Sequence, residues 1–187
     1  MGIFLGFIPD EKNNYKIRKV VGEVGRVFEG QDVAIRWVKP ESYHITLLYI
    51  GDKMNFLSKF FLLLKMKSFI VRKFKVVLDK ANVGISRSYK ELVYLSMKEG
   101  GDEIREMLYK LRGKVKVKET NVFIPHISLG RINKDLTSEE FRNLTVDVRN
   151  ENKNLDISSI SFEVDKLHLI ETNQDGKLNI IKSFDLF

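Results

Sequence analysis

The chain has 187 residues, with 32 Lys plus Arg against 25 Asp plus Glu, a formal net charge of +7, 43% hydrophobic residues and no cysteine. Its length and apolar content suffice for a sizeable core in one domain or two closely packed lobes. The lack of cysteine excludes disulfides and thiolate metal ligation, and three histidines alone make a poor metal cluster, so no metal and no other cofactor are expected. The positive balance suits a polyanion such as RNA, and equally suits plain solvation of a lysine-rich surface.

The opening apolar run Ile3–Ile8 has no basic region before it and no small-residue cleavage site after it, and reads as a first strand rather than a signal peptide. A helix is expected over Glu11–Phe28, with Tyr15, Ile17, Val20, Val21, Val24, Val27 and Phe28 at helical spacing and Asp10 as its cap. Gly22 and Gly25 inside it point to close packing against a sheet. Strands follow at Ile35–Val38 and Tyr43–Ile50, and then a largely buried helix at Met54–Val71. Ser58, Lys59, Lys65, Lys67 and Ser68 interrupt its apolar stretch, so it does not read as a bilayer span; no membrane partner and a cytoplasmic location are expected.

Phe74–Leu78 and Glu91–Met97 look like strands. Gly100–Gly101 breaks the chain before an amphipathic helix at Asp102–Leu111, ended by Arg112–Gly113. Val122–Leu129 is strand-like despite Pro125, and Asn150–Asn154 reads as an exposed loop. Ile157–Val164, Lys166–Ile170 and Leu178–Phe187 complete a set of mostly antiparallel strands, the last two joined at the Asp175–Gly176 turn. The class is α+β, in a single domain spanning residues 1–187.

Two segments repeat one pattern, Tyr43-His44-Ile45-Thr46-Leu47 and Pro125-His126-Ile127-Ser128-Leu129, with the histidines 82 positions apart. On a strand, His and the hydroxyl two residues on share one face, while Ile and Leu share the other. A neutral imidazole accepts a proton and a protonated one donates it, so two together form the acid–base pair that displacement at phosphorus requires. The hydroxyls suit the non-bridging phosphate oxygens. A single such histidine is ordinarily just a strand residue; the repetition is what favours chemistry.

The segment Arg36–Asp52 around His44 is similar to the first signature of the RNA 2′,3′-cyclic phosphodiesterases, also called 2′-5′ RNA ligases, of the two-histidine (2H) phosphoesterase superfamily. Phe123-Ile124-Pro125-His126-Ile127-Ser128-Leu129-Gly130-Arg131 resembles the second signature, and Ile3–Pro9 and the final segment resemble the opening strand and closing hairpin. The resemblance implies a bilobal fold of two pseudo-symmetric lobes, mostly antiparallel sheet with helices outside and a cleft holding one signature from each lobe. It implies metal-independent hydrolysis of RNA 2′,3′-cyclic phosphate ends to 2′-phosphates by a monomer. His44 is then the general acid, His126 the general base, Thr46 and Ser128 hold the phosphate, and Arg131 adds charge. Ser128 stands where Thr is frequent, Thr172 where Ser is frequent, and Leu178 near where Tyr is frequent.

Other readings stay open: the reverse reaction, 2′-5′ ligation, with the same histidines; a non-catalytic RNA-binding module on the same fold; and a small cyclic nucleotide as substrate. His168 has Ile170 two residues on and reads as structural. Trp37 reads as core rather than a stacking platform, and Tyr49, at an odd offset from His44, also reads as core. Arg87-Ser88-Tyr89-Lys90 is either an RNA-contacting loop or a plain turn. Gly84, Gly100, Gly101 and Gly130 form no phosphate-binding loop, so a nucleoside triphosphatase has no support.

Overall fold

The computed structural model describes residues 2–67, 69–85, 90–115, 123–133 and 135–187. In chain order they form β1 (Gly2–Phe7), α1 (Glu11–Gly30), β2 (Ile35–Trp37), β3 (Ile45–Gly51), α2 (Phe56–Lys67), β4 (Phe74–Val83), β5 (Leu92–Glu99) and α3 (Gly101–Val115). Then come β6 (Ile127–Ile132), α4 (Ser138–Glu151), β7 (Ser161–Val164), β8 (Lys166–Thr172) and β9 (Leu178–Asp185), with short 3₁₀ turns at Pro40–Ser42 and Ile157–Ser159.

All strands join one sheet in the order β7-β4-β5-β6-β3-β1-β8-β9, with β2 also on β6. Every pairing is antiparallel. The order is symmetric about its middle: β6 and β3 meet at the centre, each backed by three further strands. This curled α+β sheet, with four helices among the described residues, is the expected bilobal architecture.

Local chemistry sets the element ends. Asp10 caps α1 by accepting from the Asn13 N–H at 2.8 Å. Ile17, Val20, Val24 and Phe28 turn into the core, where Trp37 meets Phe28 edge-on at 5.7 Å. The expected close packing at the two glycines is not found: a Cβ at Gly25 would meet the indole at an ordinary 3.6 Å, and Gly22 faces open space. Trp37 is thus a packing residue.

Several elements differ from expectation. The second helix is shorter than Met54–Val71 and mostly exposed; among its described side chains Leu62 and Met66 are buried, while Phe56 is 80% and Phe61 58% exposed. It lies against α3. The strand expected at Val122–Leu129 begins only at Ile127, because Pro125 has no N–H to donate to a ladder; Val122 lies outside the described residues. α3 runs through Gly113 to Val115. α4 was not anticipated, although Thr137 and Glu140 form a complete capping box at its start (3.2 and 2.8 Å).

Nor is Asn150–Asn154 a free loop. The β7 pairing covers β4 only to Val77, and beyond it Asn152 occupies the β4 edge, its Oδ1 accepting from the Ala81 N–H and its Nδ2 donating to the Ala81 carbonyl, both at 2.9 Å. Of Ile157–Val164, only Ser161–Val164 is strand. Residues 87–89 of the basic–aromatic segment lie outside the described residues. No helix among the described residues is long and apolar enough to cross a membrane.

Candidate active site

The two repeats meet at the centre of the sheet. β3 and β6 pair through Ile45↔Ile127, both fully buried. Antiparallel register about that pair sets His44 across from Ser128 and Thr46 across from His126. Alternation turns these four side chains to the face opposite the isoleucines, and all four are half-buried. The histidines lie on a diagonal of this square, for which Cα separations of about 7–8 Å are usual. Each sits on the residue just before its strand, rather than within it.

Both rings are held alike. His44 Nδ1–H donates to the Ser42 carbonyl at 2.7 Å, and His126 Nδ1–H to the Ile124 carbonyl at 2.8 Å. A carbonyl only accepts, so each Nδ1 must carry its hydrogen, and Nε2 is left as the atom that gains or loses a proton. Phe4 of β1 stacks on His44 (centroids 4.7 Å, planes 29° apart), and Tyr94 of β5 meets His126 edge-on (5.5 Å, 71°).

Burial pushes both histidines below the ordinary imidazole value of 6.5. For His44 the carbonyl of Ser42 opposes this and the His126 charge adds to it; for His126 the carbonyl of Ile124 opposes and the Arg131 charge adds. Each ring is therefore neutral near pH 7 unless an anion in the cleft raises its affinity for a proton. Among the described residues, no group of three or more His, Cys, Asp or Glu side chains is gathered as a metal site would need.

No family model matches the chain, and no curated protein does. Solved structures do. A phosphoesterase crystal structure aligns over 99% of this chain and 97% of its own, at TM-score 0.71 and 18% identity. Escherichia coli LigT complexed with phosphate aligns over 99% and 96%, at 0.69 and 18%. Kluyveromyces marxianus Usb1 aligns over 99% and 97%, at 0.60 and 15%. The chain has the 2H phosphoesterase fold.

The two signatures of this 2H fold share a device that strict alternation hides. On β3 the partners run Thr46↔Gly6, Leu48↔Leu5, Tyr49↔Phe4, leaving Leu47 as an extra residue. On β6 they run Ser128↔Tyr94, Gly130↔Val93, Arg131↔Leu92, leaving Leu129 extra. Each repeat thus carries a bulge on its Leu, and the phase of the strand slips by one. The residue five after each histidine, Tyr49 and Arg131, returns to the histidine face.

Arg131 is accordingly near enough for its charge to act on His126, while its guanidinium stands 3.8 Å from the Glu91 carboxylate. Tyr49 is 48% exposed and not core; its hydroxyl donates to Asp52, and this bond raises its pKa. His168 of β8 and Thr46 flank Gly6 on the same face, one strand to either side, and His168 Nδ1 shares a 2.9 Å hydrogen bond with Ser183 Oγ. Phe4 and Tyr94, which sequence reasoning passed over, are set by strand pairing alone and carry no motif of their own.

Proposed function

We propose that this protein hydrolyses RNA 2′,3′-cyclic phosphate ends to 2′-phosphates without a metal, using His44 and His126 as acid and base. The observation that carries this reading is the diagonal pair itself: two imidazoles on one face, each with Nδ1 committed to a backbone carbonyl and Nε2 left for proton transfer. That LigT, on the same fold, has been solved with phosphate and with 3′-AMP adds support for a phosphate-bearing ligand.

In this reading neutral His126 Nε2 takes a proton from a water, which attacks phosphorus opposite the 3′ oxygen. Protonated His44 Nε2 gives its proton to that oxygen as the P–O3′ bond breaks. Thr46 and Ser128 donate to the non-bridging oxygens, and Arg131 offsets their charge. With a 5′-hydroxyl in place of water as the nucleophile, the same pair in the same roles breaks the P–O3′ bond and forms a 2′-5′ linkage. We read residues 1–187 as one domain of two lobes, since a single contiguous core underlies both halves of the sheet.

The test is hydrolysis of an oligoribonucleotide ending in a 2′,3′-cyclic phosphate, in EDTA, by wild type, His44→Ala and His126→Ala. A 2′-phosphate product, with losses of about 10²–10⁴-fold in each variant, is the expected result. No turnover by folded wild type sinks the RNA hydrolase and turns attention to small cyclic phosphates; retained activity in either variant sinks the assigned pair.

A further inference from the structure

Helix α2 is more apolar outside than inside. Leu62 and Met66 are its buried residues, yet Phe56 (80% exposed), Leu57 (64%), Phe60 (49%), Phe61 (58%) and Leu64 (43%) face out. At about 100° per residue these five fall within an arc of about 140°, and Lys59 and Lys65 lie on either side of it. Ile70, just past the helix, is also 74% exposed. Scattered exposed leucines are ordinary; a contiguous stripe with three phenylalanines marks a contact surface.

The charge around the stripe indicates what the contact is. Within Phe56–Lys67 the charged residues are Lys59, Lys65 and Lys67, with no Asp or Glu. A second copy of the chain would bring this cationic surface against itself. RNA would satisfy the cations but gives Leu57, Leu64 and Ile70 nothing apolar to enter. A lipid surface offers both an acyl boundary for Phe and Leu and anionic headgroups for the lysines flanking them. The same lysines that rule out a span suit a helix lying in the interface, since their stems run along apolar surface while the ammonium groups reach outward.

We propose that α2 is a peripheral docking surface for an anionic lipid bilayer, its outward stripe entering the headgroup–acyl boundary and its flanking lysines pairing with lipid phosphates. The proposal is independent of the chemistry assigned to the histidines, because none of the site residues lies on α2.

The test is sedimentation of the full chain with vesicles of phosphatidylcholine and phosphatidylglycerol in equal parts, and with pure phosphatidylcholine. Light scattering at several protein concentrations accompanies it. Wild type should sediment with the anionic vesicles and bind at least about tenfold more weakly to neutral ones. Phe60→Ser/Phe61→Ser should weaken anionic binding by about tenfold or more, with an unchanged melting temperature because both rings are exposed. Folded wild type that stays in solution with both vesicles overturns the proposal, as does a double variant that binds like wild type. A wild-type dimer that the double variant dissolves gives the face to a second copy and overturns it as well.

Discussion

Gly6 lies at the closest backbone approach near the site, and substituting it isolates how His44 is positioned. A Cβ at Gly6 would stand 2.4 Å from the Ile45 carbonyl oxygen and 3.2 Å from the Phe4 ring, the ring that stacks on His44. The first distance cannot be met without moving backbone, so β1 must shift away from β3 beside the residue that pairs with Ile127. Overpacking of this kind costs about 1–3 kcal/mol. In a chain of this size that lowers the melting temperature by about 2–12 °C. Displacing Phe4 also displaces the His44 ring it supports, so Gly6→Ala should lower kcat on a cyclic phosphate end more than it raises KM. Phe4→Leu removes the stack without the clash and should reproduce the kcat loss with a smaller loss of stability. The assays are thermal unfolding and initial rates across pH on the same preparations. A Gly6→Ala protein with wild-type melting temperature and wild-type kcat would refute the reasoning outright.

Three further outcomes are expected. Both catalytic candidates bind protons more weakly folded than unfolded, so the stability they contribute is fully present above pH 6.5 and is lost as pH falls below it through their depressed values; urea titrations should show this slope, and His44→Gln/His126→Gln should flatten it. Tyr49→Phe keeps the ring but removes the hydroxyl bonded to Asp52, and should change KM for an oligonucleotide while leaving the melting temperature within about 2 °C, as a rim position would. Asn152→Ala strands both the N–H and the carbonyl of Ala81 on the β4 edge, and should cost about 1–3 kcal/mol in denaturant unfolding.

The histidine–hydroxyl repeat was legible because chemistry and periodicity coincide in it: Ile45 and Ile127 had to be buried, so their neighbours had to face away. What the sequence concealed was phase. Tyr49 reads as core only if β3 alternates without interruption, and the bulge at Leu47 depends on how β1 pairs, a tertiary fact. α2 misled for a related reason. Its composition signals burial, but whether a Phe-rich helix is covered depends on neighbours, and the structure sets α3 against it without covering its Phe-rich side. α4 is the opposite case, since the Thr137–Glu140 box was in plain view and its weak apolar content, with Leu144 and Val148 alone buried, gave little periodicity to support it.

The central seam carries a mechanical consequence. β4 and β7 share four paired positions and β8 and β9 seven, whereas β3 and β6 are bridged by the single pair Ile45↔Ile127. The rest of that edge of β6 is closed by β2, whose Ile35, Arg36 and Trp37 pair with Ile132, Arg131 and Gly130. The first part of the chain thus grips β6 at two separate places, and the histidine pair sits at the lighter of the two. Each imidazole is tied to a carbonyl two residues before it in its own chain segment, so it travels with its half. The gap between the two Nε2 atoms is therefore set by how β3 and β6 seat on each other, and the orientation of each ring by its own carbonyl.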